Sequence, residues 1–312
     1  MSTSATPSGD SQGSSTDAAA RTRPRVDGGV VAFFAIAYTL AWTIWLVMAW
    51  AAADTGRDTA SFVALVEAGE LNGIATPLPG WGLYLLSRIA DFSFSIAGIV
   101  MIVATAGSAG LRLLARRLTA WRVAPRWYAV ALLPVALYLA AAIVVSASEG
   151  GRVLIDLPVL RTILFSLSAG LFVSLFLRGA MGEELGLRGF VLPRLQARTT
   201  PLRASLIIGV LWGLWHLPVL VGRDPVSVIA FVLLALSLSF LFTRLFNRTS
   251  GSLVPALLLH ATVNWEEAFE TVFPAVRGTD WETIPIVVLI VAGFVAARGL
   301  SATVDRHSLT TA

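Results

Sequence analysis

The chain has 312 residues, of which 56% are hydrophobic and only 13% are charged, and its mean hydropathy is +0.77. Soluble domains carry about 25% charged residues, so this composition excludes an ordinary soluble protein and predicts an all-α polytopic membrane protein. The chain contains no cysteine, which excludes disulfides, thiolate metal sites and cysteine nucleophiles.

Residues 1–28 are rich in Ser, Thr, Gly, Asp and Ala and are predicted to form a disordered N-terminal tail. The first apolar segment, at about 30–53, begins too late for a signal peptide and is long enough to span a bilayer. Further spans are predicted at about 82–106, 128–147, 163–187, 204–221, 226–243, 252–270 and 284–298. We therefore expect about eight transmembrane helices over residues 29–300, with a motif core at 163–270 and a C-terminal tail at 301–312.

The distribution of arginine predicts the orientation of these helices. The loops after the second, fourth, sixth and eighth spans are basic, whereas the intervening loops carry aspartate and glutamate. By the positive-inside rule, both termini are cytoplasmic. The net charge of +4 therefore indicates membrane orientation and no nucleic-acid partner. All 23 basic residues are arginine and alanine is abundant, which suggests a bacterial cytoplasmic membrane.

The segment 181–189, M-G-E-E-L-G-L-R-G, places two carboxylates and an arginine at the end of the fourth span. Ionisable groups at membrane depth are costly, so they indicate a functional site. On a helix, Glu184 and Arg188 are four residues apart and can form an ion pair, whereas Glu183 lies about 100° around the axis. Glu183 is therefore the carboxylate left free for chemistry. Arg178, ten residues before Arg188, is expected to pair with a glutamate of the seventh span.

Two further spans contain polar pairs with the same spacing. In the fifth span, Trp212 and His216 are four residues apart, and in the seventh span His260 and Asn264 are as well. Each pair therefore shares one face of its helix. A single histidine in a span is often only a packing residue that bonds to a neighbouring helix, but three polar groups on three spans favour a common site.

One free glutamate, two histidines and an asparagine suit the hydrolysis of an amide. Glu183 would act as the general base on water, and His216 would position the water or move the proton. His260 and Asn264 would direct N–H donors at the tetrahedral intermediate. The same residues allow a second account, in which Glu183, His216 and His260 hold a zinc ion with an open position for water. The residues alone do not separate these accounts.

The order E-E-x-x-x-R, aromatic-x-x-x-H and H-x-x-x-N resembles the CPBP family of intramembrane proteases. This family includes the type II CAAX prenyl endopeptidases and bacteriocin-processing or self-immunity proteins, and is also called the Abi family. The matching residues are Glu183, Glu184, Arg188, Trp212, His216, His260 and Asn264. The family's second motif usually begins with Phe, so Trp212 is a departure that keeps an aromatic ring.

The resemblance implies a glutamate-dependent endopeptidase whose site opens towards the cytoplasm, with Glu183 catalytic and Glu184, Arg188 and Trp212 supporting it. We favour the account without a metal, because no third nitrogen or sulfur ligand is evident. The expected partners are the lipid bilayer and a membrane-associated peptide or protein substrate. The alternative is a non-catalytic scaffold, immunity factor or transporter that retains the same residues. The H-E-x-x-H motif of helical zinc proteases is absent from the sequence.

Overall fold

The computed structural model describes residues 27–300 except 72, 73, 75, 77, 149–156, 266–268 and 271. The described residues form helices and turns, with no strand among them, so the predicted all-α class is confirmed. The predicted tails lie outside the described residues, apart from residues 27 and 28. The cytoplasmic placement of both termini stays a prediction.

The helices follow one another along the chain with short connections. They are α1 (Gly28–Asp54), α2 (Thr59–Ala68), α3 (Gly80–Asp91), α4 (Ser93–Thr119), α5 (Pro125–Ala131), α6 (Leu133–Ser148), α7 (Leu157–Phe176), α8 (Gly179–Gly186), α9 (Leu192–Gln196), α10 (Pro201–Trp215), α11 (Pro225–Arg248), α12 (Val254–Val263) and α13 (Thr283–Ala297). A π-helical turn at Leu187–Val191 joins α8 to α9, and a 3₁₀ turn at Pro274–Val276 precedes α13.

Three helices of the described chain, α1, α4 and α11, are each long and apolar enough to cross a membrane. The pair α5 and α6, bent by 44°, provides a fourth crossing if it acts as one span. At 1.5 Å per residue, the 27 residues of α1 extend about 40 Å, more than the roughly 30 Å hydrocarbon core of a bilayer. Large apolar side chains such as Leu46, Val103 and Ile229 are exposed on these helices, as expected where lipid is the solvent. The chain is an integral membrane protein.

Several predicted spans are interrupted in the structure. The span predicted at 82–106 divides between α3 and α4 at Phe92, and that at 163–187 divides between α7 and α8, where Arg178 has extended backbone angles. The fifth predicted span ends early because α10 stops at Trp215, three residues before Pro218, which has no N–H to continue a helix. The seventh ends at Val263. Two of these breaks place His216 and Asn264 at the ends of their helices inside the protein, where non-helical backbone is tolerated.

Close glycine contacts position α8 against α4. A Cβ atom at Gly98 would lie 2.7 Å from the Cα of Gly186, so the two helices approach as closely as they do only because both residues lack side chains. Below this contact, Phe33 of α1 stacks between Phe94 and Phe190, with ring centroids 5.7 and 5.6 Å apart. The helix that carries the two glutamates is therefore packed on both sides by the core.

Candidate active site

Helix α8 places both glutamates inside the protein. Glu183 is 4% exposed, and Glu184 and Arg188 are fully buried. Arg188 Nη1 donates a hydrogen bond of 2.9 Å to Glu184 Oε1, which is the ion pair expected from the spacing of four residues. The guanidinium also lies over the ring of Phe242 on α11, 4.3 Å from its centroid. Glu184 is thus the partner of Arg188, and Glu183 points elsewhere.

The carboxylate of Glu183 is held by an indole. Trp212 Nε1 on α10 donates a hydrogen bond to Glu183 Oε2. The Trp212 ring also packs edge-on against His260, with centroids 5.6 Å apart, and beneath the guanidinium of Arg188. A phenylalanine could make these ring contacts but could not donate the hydrogen bond. Trp212 therefore supports the site through a donor as well as through its ring.

His260 on α12 lies between the two glutamates. Its Nδ1 is 2.7 Å from Glu184 Oε1, and its Nε2 is 3.9 Å from Glu183 Oε1. An ionised carboxylate only accepts hydrogen bonds, so the hydrogen-bond network assigns the proton to Nδ1. A neutral His260 then presents a lone pair at Nε2 towards Glu183. It becomes an Nε2 donor only as an imidazolium.

His216 follows the last residue of α10 and is partly buried. Its Nδ1 lies 2.9 Å from the carbonyl oxygen of Trp212. Because a carbonyl only accepts, Nδ1 carries the proton and Nε2 carries the lone pair of the neutral ring. His216 therefore lies at a helix end and not within the continuous span predicted from the sequence. Its ring packs against Trp215 and Phe231.

Asn264 follows the last residue of α12 in the same way, and its backbone N–H donates to the carbonyl oxygen of His260. A cavity of about 90 Å³ is lined by Glu183, Trp212, His216, His260 and Asn264, and on its other side by one face of α11 that includes Phe231, Leu234 and Leu238. Since a water molecule occupies about 30 Å³ of liquid, there is room for more than one. The structure therefore brings the four predicted catalytic residues to one cavity.

Gly179 is a site residue that sequence reasoning did not identify. A Cβ atom there would lie 2.6 Å from Glu183 Oε1, 2.9 Å from His260 Nε2 and 3.3 Å from Asn264 Nδ2. These three polar groups therefore surround one backbone position that only glycine leaves open. The signal available in the sequence was the G-A-M-G run at the start of α8.

Gly179→Ala is expected to lower any turnover that depends on Glu183 at least about 10²-fold, because the methyl group would displace Glu183 and His260 from each other. The neighbouring Ala180→Gly is the control for a changed backbone at the helix start. The turnover rates of both variants are measured with a reporter substrate. Their thermal unfolding midpoints show whether a lower rate reflects lost stability. A Gly179→Ala variant with normal turnover would show that this contact does not matter.

A catalytic zinc ion takes three protein ligands that point at one position. Among the described residues, no group of three or more His, Asp or Glu side chains is placed to hold one ion. Glu184, which could have supplied a ligand oxygen, is already paired with Arg188 and His260. The described residues thus supply no such set of ligands for the zinc account, and no chemical step is derived through a metal.

Arg178 contacts a glutamate of α2, which lies outside the predicted seventh span. Its Nη2 lies 3.2 Å from Glu67 Oε2 on α2. The glutamates at 266 and 267, two of those at the end of the seventh predicted span, lie outside the described residues. Glu67 therefore adds an acidic group of α2 to the surroundings of the site.

The carboxylates and imidazoles share a cavity with room for water inside an apolar helical protein. They define a polar site within an integral membrane protein. Residues 163–265 match the family model described as Type II CAAX prenyl endopeptidase Rce1-like. This is about a third of the chain, and it includes each of the motif residues from Glu183 to Asn264. The predicted resemblance is confirmed for these residues.

A curated relative is similar over a comparable length. CAAX prenyl protease 2 of Methanococcus maripaludis is 28% identical over 100 residues, which are 29% of this chain and 37% of the relative. The match thus covers little more than a third of that protein.

Proposed function

We propose that this protein is an intramembrane endopeptidase that hydrolyses a peptide bond in a membrane-associated peptide or protein. The observation that carries the proposal is the setting of Glu183. One carboxylate oxygen accepts from Trp212, and the other faces His260 across 3.9 Å, beside a cavity with room for water. A general base needs such a fixed position and an oxygen that is free to receive a proton.

In the proposed reaction, Glu183 removes a proton from a cavity water as the water oxygen attacks the substrate carbonyl. The carbonyl oxygen becomes an oxyanion, and Asn264 Nδ2 is the neutral donor available to it. When the C–N bond breaks, the proton on Glu183 passes to the leaving amine. His216, with its Nε2 lone pair, helps to orient the water.

The proposed role of His260 depends on its two carboxylate neighbours. Glu184 accepts from Nδ1, and this contact fixes the plane of the ring. As an imidazolium, His260 would donate from Nε2 to the oxyanion. In the neutral form, it would instead accept from the attacking water. Both forms assist the same reaction on one side of the cavity.

The cavity wall also supports an apolar substrate. Phe231, Leu234 and Leu238 lie on one face of α11, opposite the polar groups. The curated relative is named a prenyl protease, so a farnesylated peptide ending in a C-a-a-X sequence is the first probe. A transmembrane or amphipathic peptide without a prenyl group is the second. Both meet an apolar wall with the scissile bond near Glu183.

The proposal is tested by comparing the termini of membrane proteins in cells that express the wild type or Glu183→Gln. Cleavage by this site generates new N- and C-termini with the wild type that are missing with the variant, and mass spectrometry of the membrane fraction detects them. The alternative function is a non-catalytic scaffold, immunity factor or transporter. It predicts identical termini, and a phenotype that survives joint substitution of Glu183, His216 and His260.

Removal of divalent metals is expected to leave the cleavage rate unchanged within about twofold. The reason is that no described group of three His, Asp or Glu side chains is placed to hold one ion. The purified protein would be dialysed against EDTA and then against 1,10-phenanthroline, assayed, and its zinc content measured by mass spectrometry. One zinc per chain, together with rates that fall on chelation and return with added zinc, would refute the mechanism without a metal.

A further inference from the structure

At the C-terminal end of α2, the carboxylate of Glu67 lies between two guanidinium groups. Arg88 on α3 donates to one oxygen, and Arg178 Nη2 is 3.2 Å from the other. Arg88 also donates to the carbonyl oxygen of Leu177, so the same group contacts the backbone between α7 and α8. Arg178 immediately precedes α8. Glu67 is thus bonded, directly and through Arg88, to the two residues that join α7 to α8.

The N-terminal end of α2 contacts the segment that follows His216. The Thr59 N–H donates a hydrogen bond of 3.1 Å to the carbonyl oxygen of Val221, and Arg223 Nε lies 3.8 Å from Asp58 Oδ1. Between them, Gly222 has a φ of +90°, and a Cβ atom there would lie 3.0 Å from the Cβ of Asp58. Both the backbone conformation and the space therefore require glycine at this contact.

The body of α2 is fixed by apolar packing. Phe62, Val63 and Val66 are buried, and the helix packs against α1 and α3. Its ten residues form a rod about 15 Å long. One end of this rod contacts the segment before Glu183, and the other contacts the segment after His216.

We propose that α2 positions the active site, with Glu67 as its positioning residue. By holding Arg178, Glu67 fixes the start of α8 at the point where Gly179 meets Glu183, His260 and Asn264. Glu67 touches no reacting group and acts through α8. This role rests on the proposed function, since a positioned base matters only where there is catalysis. Because Glu67 does not line the cavity, replacing it changes kcat rather than KM.

The first experiment compares Glu67→Ala with Glu70→Ala. Glu70 is an exposed glutamate three residues further along the chain, just after α2. With a cleavable reporter in proteoliposomes, Glu67→Ala lowers kcat about 10-fold and leaves KM within about twofold, whereas Glu70→Ala changes neither. In a Glu67→Cys/Arg178→Cys variant, a short bifunctional thiosulfonate restores kcat, and reduction abolishes it again. A purely stabilising role predicts instead that the unfolding midpoint falls and kcat does not.

The second experiment does not depend on catalysis. Because the chain has no cysteine, Ala235→Cys places a single thiol in the wall of the cavity. Its rate of reaction with 2-aminoethyl methanethiosulfonate is measured with and without Glu67→Ala. An increase of at least about threefold, absent with Glu70→Ala, supports the positioning role even if no variant cleaves the reporter. An unchanged labelling rate overturns it even if the protein is a protease.

Discussion

Glu183→Gln is expected to lower kcat about 10³-fold and to leave the fold intact. The amide has the shape of the carboxylate and can still accept the hydrogen bond of Trp212 through its oxygen, so the local packing is kept. It cannot, however, take a proton from water, and loss of a general base costs about 10²–10⁴-fold. Single-turnover cleavage of a reporter substrate in proteoliposomes measures the effect on the chemical step.

Glu70→Gln is the matched control for this variant, since it makes the same chemical change at an exposed position. Its rate is expected to equal that of the wild type. The substrate affinity of Glu183→Gln is also expected to stay close to normal, because the apolar wall of α11 is unaltered. If Glu183→Gln cleaves within threefold of the wild type, another group is the base, and the assignment of Glu183 fails.

The pairing of Glu184 with Arg188 could be predicted because it depends on helix geometry alone. Two residues four apart on a helix share one face wherever that helix lies. In the structure, Arg188 Nη1 is 2.9 Å from Glu184 Oε1. The choice of Glu183 as the carboxylate without an arginine partner followed from the same geometry. Local spacing therefore identified which glutamate is paired with Arg188 before any tertiary contact was known.

The breaks in the helices could not be predicted in the same way. Hydropathy records how apolar a segment is, and it does not record where the backbone leaves the helix, as it does at Phe92 and Arg178. The breaks depend instead on tertiary contacts, such as that of Arg88 with the carbonyl oxygen of Leu177. For this reason, the number of apolar segments overstates the number of straight helices that cross the membrane.

The polar contacts between helices were also beyond the sequence. Nothing in the spacing of residues 183 and 212 shows that an indole N–H reaches a carboxylate 29 positions away. The position of His260 between both glutamates likewise depends on how α12 packs against α8. Polar residues inside spans predicted that these side chains lie together, and they do line one cavity, but the proton positions on the two histidines required the hydrogen-bond partners.

Arg188→Met is expected to cost about 3–5 kcal/mol of unfolding free energy, the loss typical of breaking a buried ion pair from one side. Arg188 and Glu184 are both fully buried, and among the described residues Glu184 Oε2 finds no hydrogen-bond partner. Methionine fills most of the volume and can still pack on Phe242, so the loss comes mainly from the buried carboxylate of Glu184, which keeps His260 but loses its arginine. Equilibrium unfolding in mixed detergent and dodecyl sulfate micelles measures it.

The double variant Glu184→Gln/Arg188→Met separates the ion pair from packing. It removes both charges while the amide oxygen still accepts from His260 Nδ1, so no buried charge is left without a partner. We expect it to be more stable than Arg188→Met by at least about 1.5 kcal/mol, and measuring Glu184→Gln alone completes the cycle that gives the coupling between the two residues. If instead the two losses add, Arg188 stabilises α8 through its contacts with Trp212 and Phe242, and Glu184 is held by His260 alone.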